Sequence, residues 1–338
     1  MRWRWLMVYV LLGASALGVT LAPLTQSLME RAAAMTVQTA FDQPPVFIGM
    51  QTIAENGDLK PFALALHDGK LLVSYLSSDR VDEFSDRLKH LRTLHLREKA
   101  PASITGLALD GERLYAADFK SGDLLVADYK TGRLLQSFGW LPDRKAQIKA
   151  LGITLRADNL YVTDVASGQI RVISTTTVDK VREEGELILS FPDRAAKGVQ
   201  LGYPTWTMVT PDGRLLISDA RTREVKAFTC SGRFAHLFDK EGMAALKTPM
   251  GIAMDDLRSP ELAAEAKKVF DPSGVREQGR IHVVDAALGR VKVFNALGKY
   301  VLTYGGELRQ PNGIVIDQKT RLIFVSDAKL RAIAVYKY

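Results

Sequence analysis

Gln310-Pro311-Asn312-Gly313-Ile314-Val315-Ile316-Asp317, followed after a polar turn by Leu322-Ile323-Phe324-Val325-Ser326-Asp327, decides the fold. A β-branched run leaves a Gly, reverses, and returns as a second apolar run that stops at Asp. The phrase recurs every 42 to 66 residues, over 106–118, 152–164, 206–219, 251–285 and 313–327. A degenerate first copy covers 62–75, with Tyr75 where the others have Asp. Each copy continues into a further apolar run, as in Ile170-Arg171-Val172 or Val291-Lys292-Val293-Phe294, and then another, as in Tyr300-Val301-Leu302-Thr303-Tyr304-Gly305. Short β-branched and aromatic runs separated by Gly, Asp and Asn are strand signals, and a four-strand unit repeated around a ring is a β-propeller. The reading is an all-β, six-bladed β-propeller over residues 46–338.

Thr248-Pro249-Met250-Gly251-Ile252-Ala253-Met254-Asp255, the matching 310–317 stretch, and Asp285 with Arg290-Val291-Lys292-Val293-Phe294 together resemble the NHL-repeat six-bladed propellers. The resemblance covers nearly everything beyond residue 45. It implies architecture far more than activity, because one such fold hosts unrelated functions.

Ring closure follows from the strand count. The last copy supplies only three strands, whereas Val46-Phe47-Ile48-Gly49-Met50-Gln51-Thr52-Ile53 is strand-like and precedes the first. Pairing the two completes the last blade and removes a free edge. In an up-and-down blade of strands a to d, the chain then enters strand d on the face that also carries the a–b and c–d loops. Two insertions open on that face, 256–278 in blade 5 and 174–186 in blade 3. The first contains Ser259-Pro260-Glu261 and later Lys267-Lys268-Val269-Phe270, the pattern of a short capped helix with acid early and base late.

Arg2 and Arg4 precede an uncharged stretch over 6–22. This reads as a signal peptide or a signal anchor, and either exports the domain. Ala14-Ser15-Ala16 offers a small-x-small cut, but it leaves a short apolar region. An uncleaved transmembrane helix over 1–22 is favoured, because at ~1.5 Å per residue residues 3–22 match the ~30 Å of a bilayer core. Trp3 and Trp5 then sit at the interface, with Leu6, Leu11, Leu12, Leu17 and Leu21 in the apolar layer and a linker over 23–45. The expected location is membrane-anchored, with the propeller on the periplasmic or extracytoplasmic side.

The chemistry expected of such a ring is sparse. The inner strands, for example Phe62-Ala63-Leu64-Ala65-Leu66 and Thr205-Trp206-Thr207-Met208-Val209, carry no Asp, Glu, His or Cys to converge on a channel metal. The five histidines show no ligand spacing, no Cys-x-x-Cys-His marks a haem, and the single cysteine, Cys230, falls in a turn. No cofactor, metal or catalytic residue is assigned. Asp118, Asp164, Asp219, Asp285 and Asp327 recur in five blades at strand ends, where a carboxylate bonds the following turn amides, so they are assigned to structure.

The formal charge of +7 is concentrated in turns. Arg221, Arg223, Arg290 and Arg331 mark a basic face opposite the linker, suited to an acidic protein. NHL propellers include RNA binders, but an exported domain points away from nucleic acid. Trp140, in a connection between blades, is a candidate anchor, and Glu261, Lys267, Lys268 and Phe270 are candidate contacts on the insertion. The resulting reading is a non-catalytic protein-binding scaffold or accessory subunit of a membrane complex, with an electron-transfer or other energy-transducing assembly as the host. One alternative is a metal-dependent small-molecule hydrolase or lyase with loop-borne carboxylates such as Asp58, Asp143, Asp193 and Asp239. The other is a sugar- or peptide-binding propeller using Trp140 and Tyr203.

Overall fold

The computed structural model describes residues 43–53, 59–97, 102–138, 148–176, 187–193, 199–255 and 279–338. Pro44–Leu257 and Glu277–Tyr338 form one compact unit. It contains six four-stranded antiparallel sheets, five of them built by adding strands outward in chain order and the sixth taking its outermost strand from β1.

After β1 (Val46–Thr52), blade 1 is β2 (Lys60–His67), β3 (Lys70–Leu76), β4 (Arg80–Phe84) and β5 (His90–His95). Blade 2 is β6 (Ile104–Asp110), β7 (Arg113–Asp118), β8 (Asp123–Asp128) and β9 (Leu134–Phe138). Blade 3 is β10 (Ala150–Arg156), β11 (Asn159–Asp164), β12 (Gln169–Ser174) and β13 (Leu187–Phe191). Blade 4 is β14 (Pro204–Val209), β15 (Arg214–Asp219), β16 (Glu224–Thr229) and β17 (Phe234–Leu237). Blade 5 is β18 (Pro249–Asp255), β19 (Arg280–Asp285), β20 (Arg290–Asn295) and β21 (Tyr300–Tyr304), and blade 6 begins with β22 (Pro311–Asp317), β23 (Leu322–Asp327) and β24 (Ala332–Lys337).

The predicted closure is present. β1 pairs antiparallel with β24, from Val46 opposite Lys337 to Thr52 opposite Ala332, and so supplies the fourth strand of blade 6. Phe47 stacks against Tyr336 at 5.5 Å between ring centroids. The anchor (residues 1–22), the linker up to residue 42 and the insertion helix lie outside the described residues. Among the described residues no helix is long and apolar enough to cross a membrane.

The repeated Gly has a packing cause. A Cβ on Gly152 would lie 2.6 Å from the Thr205 carbonyl oxygen of the next blade, and one on Gly251 would lie 2.6 Å from the Asn312 oxygen. Inner strands therefore approach backbone to backbone around the axis, which only Gly permits. Strand b hydroxyls tie the same contacts. Ser218 Oγ donates to Met250 O at 2.6 Å, and Ser326 Oγ donates to Phe62 O at 2.6 Å, joining blade 6 to blade 1.

Blade 4 departs from the pattern by placing Trp206 at the Gly position, and its ring does not stay within that blade. It meets Phe62 of blade 1, on the far side of a six-membered ring, at 6.1 Å between centroids. Phe62, Leu107, Leu151, Trp206, Met250 and Ile314 are all buried in one central cluster. The axis is thus filled by apolar side chains rather than lined by polar ones.

Candidate functional site

The recurring aspartates sort the two ends of the ring. Asp219 accepts hydrogen bonds from the amides of Gly202 (2.6 Å) and Tyr203 (2.9 Å) on the incoming connector, and from Arg221 (3.1 Å) and Thr222 (3.2 Å) in its own turn. Asp327 does the same with Arg309, Gln310, Lys329 and Leu330. Asp118, Asp164 and Asp285 repeat the scheme. The structural assignment holds and grows: each carboxylate fixes its turn and also clamps that turn to the entry into strand a. All five are buried. Arg97 lies 3.2 Å from Asp118, Arg171 Nε 3.1 Å from Asp164 and Lys226 Nζ 3.6 Å from Asp219, as buried charge demands.

Blade 1 solves the same problem differently. Tyr75 donates to Asp82 Oδ2 at 2.7 Å, and Asp82 also takes Arg80 Nε at 2.7 Å and Thr93 Oγ1 at 2.6 Å. Burial alone raises the Asp82 carboxyl pKa, but these three donors outweigh it and hold the group below its ordinary value.

The b–c turns and the connectors into strand a make up the aspartate face, while the chain enters β1 from the opposite, entry face. At the aspartate end of the axis, Phe119, Val165 and Tyr203 are half-buried and pack on the central cluster. The amides of Phe119 and Val165, each directly after a clamp aspartate, donate to Ser103 O and Lys149 O. Lys149 Nζ stands 5.9 Å from the centre of the Phe119 ring. Burial pushes the Tyr203 hydroxyl pKa up. Together these form a half-buried apolar patch over blades 2 to 4.

Cations surround the patch. Lys60 on blade 1, Lys120 on blade 2, Arg221 and Arg223 on blade 4, Lys247 entering blade 5 and Lys329 on blade 6 are exposed. No carboxylate pairs with their side chains among the described residues. The acids of this face are largely engaged: Asp123 with Arg97, Glu224 with Lys226 and Lys240, and Asp239 with Lys299. Of the basic residues expected from sequence, Arg221 and Arg223 sit side by side on this face. Arg331 is also exposed there, at the turn whose carbonyl receives Ile53 N–H at 3.2 Å. Arg290 is half-buried and donates to Gly289 O at 2.7 Å, bracing backbone rather than facing solvent. Trp140, Glu261, Lys267, Lys268 and Phe270 lie outside the described residues.

Sequence reading missed Phe119, Lys149 and Lys60. The signal was in the repeat alignment: the residue after each Asp and the residue just before each inner strand ring the axis. The settings of one buried and one half-buried side chain were also missed. His282 is fully enclosed, with Nδ1 2.9 Å from Tyr304 Oη and Nε2 3.1 Å from Tyr338 Oη. Burial, aided by Arg321 and Arg280, lowers its pKa to about 3, so the ring is neutral. Cys230 Sγ donates to Gly213 O at 3.3 Å and has Arg156 Nη1 at 3.7 Å, a neighbour from another blade.

For the loop-borne catalytic alternative, Asp58 and Asp143 lie outside the described residues, and Asp239 is held by Lys299 and by the Tyr300 amide at 3.1 Å. No group of three or more His, Cys, Asp or Glu able to hold a metal occurs among the described residues.

No family model matches the chain. No curated protein matches it either. Solved structures do. A streptogramin B lyase aligns with a TM-score of 0.58 at 12% identity, over 86% of this chain and 97% of that one. A catalytically inactive virginiamycin B lyase from Staphylococcus aureus with quinupristin aligns at 0.57 and 14% identity, over 86% and 99%. The Cps50 (Swd1) beta-propeller domain of Myceliophteria thermophila aligns at 0.55 and 13%, over 87% and 100%. At such identities the likeness shows the fold alone, and the NHL-repeat resemblance stands at that same level: this chain is a six-bladed β-propeller.

Proposed function

We propose that the chain is an exported binding propeller, tethered to a membrane by its N-terminal segment and acting as a non-catalytic scaffold or accessory subunit of a membrane complex. An electron-transfer or other energy-transducing assembly is the host this reading favours. One observation carries it: the axis, where a propeller enzyme would gather ligands, is filled by Phe62 against Trp206, while the aspartate face offers cations with no carboxylate partner among the described residues. The hydrolase or lyase reading draws on fold likeness to lyases, which transfers no residues.

The test is mild detergent extraction from native membranes, affinity purification of the full chain, and mass spectrometry of its companions and its own N-terminus. A stoichiometric set of membrane proteins with residues 1–22 retained supports the proposal. A solitary, cleaved protein overturns it and turns attention to metal content and to lactone and ester substrates.

A further inference from the structure

The cations of blades 2 to 4 lie around the half-buried Phe119, Val165 and Tyr203 on the aspartate face. Lys120, Arg221 and Arg223 are exposed, and Lys149 stands over the Phe119 ring. Arg221 also lies along the connector at Gly202, where a Cβ would meet its side chain at 2.9 Å. Phe119, Val165 and Tyr203 leave part of their apolar surface uncovered, which suits a side chain that water solvates poorly, and the cations around them attract negative charge.

The turn backbones narrow the class of anion. A compact phosphate is ordinarily cradled by consecutive turn amides. Here those amides already donate to carboxylates: Lys120 and Ser121 to Asp118, Ala166 and Ser167 to Asp164, Arg221 and Thr222 to Asp219. Only long, mobile side chains remain for a ligand, which suits charge spread along a chain. A stacked base is disfavoured, because the face of Phe119 carries Lys149. A lipid surface is disfavoured too, because this face is opposite the one from which the chain enters β1.

We propose that the aspartate face over blades 2 to 4 binds an acidic polypeptide segment bearing a large apolar side chain, seated among Phe119, Val165 and Tyr203 with its carboxylates on Lys149, Arg221 and Arg223. This rests on the scaffold reading and names the chemistry of one partner.

The test uses the full chain in detergent and a fluorescein-labelled peptide of alternating Glu and Ser with one central Trp, followed by fluorescence anisotropy. Expected are binding that weakens with added salt, a loss of about tenfold or more when Glu is replaced by Gln in the peptide, and a similar loss in the double variant Lys149→Glu/Arg221→Glu. Lys319→Glu, on the entry face, leaves binding unchanged. Thermal midpoints of both variants confirm that the ring is intact. The inference is overturned if the Gln peptide binds equally, if Lys319→Glu weakens binding as much, or if an oligothymidylate or vesicles containing phosphatidylglycerol bind more tightly than the peptide. Membrane companions that still co-purify with the double variant sink this inference and leave the scaffold reading standing. Peptide binding by a protein that has no companions does the reverse.

Discussion

Single side chains at the axis decide whether the ring packs. Replacing an exposed strand Gly by Ala ordinarily gains ~0.5–1 kcal/mol, because the unfolded chain loses freedom. Gly251→Ala reverses that sign. Its methyl group meets the Asn312 oxygen of the next blade, and overpacking of this kind costs about 1–3 kcal/mol in urea unfolding. Gly49→Ala, with nothing within 4 Å, keeps the ordinary sign, a gain of ~0.5–1 kcal/mol, and serves as the control. Trp206→Ala empties the centre and lowers stability by about 3–5 kcal/mol. His282 supplies the pH signal. Its folded pKa of about 3 lies below the ordinary value, so its contribution is complete above about pH 6.5 and is lost as pH falls toward 3. Thermal midpoints measured from pH 7 to 5 should fall, and His282→Gln should flatten the slope. Tyr304, whose hydroxyl pKa burial pushes well up, faces the ring together with Tyr338, Arg321 and Arg280.

At the scale of strands and turns, the recurring Asp was legible because five copies of one residue at one strand end can only mean shared geometry. Its second set of partners was not legible, since the amides of 202–203 or 309–310 are brought to it only by the ring. Trp206 was visible as the break in the Gly pattern, yet its contact with Phe62 joins opposite blades, and neither neighbours the other in sequence. The strand count alone located β1, whereas the apolar patch was hidden because Phe119, Val165 and Tyr203 come from three blades. Removing one clamp tests the element. Asp219→Ala strands four amides while Lys226 keeps Glu224 at 2.8 Å, and the expected loss of about 1–3 kcal/mol is read from the denaturation midpoint. β1 is exposed on its outer side, with Val46 70% and Ile48 56% accessible. Val46→Lys with Ile48→Lys should keep stability within ~0.5 kcal/mol while suppressing aggregation in light scattering.

For the molecule as a whole, closure by β1 makes the ring cooperative, and the Ser326 bond to Phe62 O reinforces the joint between the last and first blades. A chain lacking residues 1–52 leaves β24 as an open edge. Its refolding should become concentration-dependent, with aggregates visible by size-exclusion chromatography. The clamps have one more effect. Because the turns of blades 2 to 6 on the aspartate face are each held from inside by a buried carboxylate, the side chains that project outward from them bear no part of the frame. Lys120, Arg221, Arg223 and Lys329 are therefore exchangeable fittings on a fixed mount, and the ring can be re-dressed for a different guest by substitution at those positions without any change in how it folds.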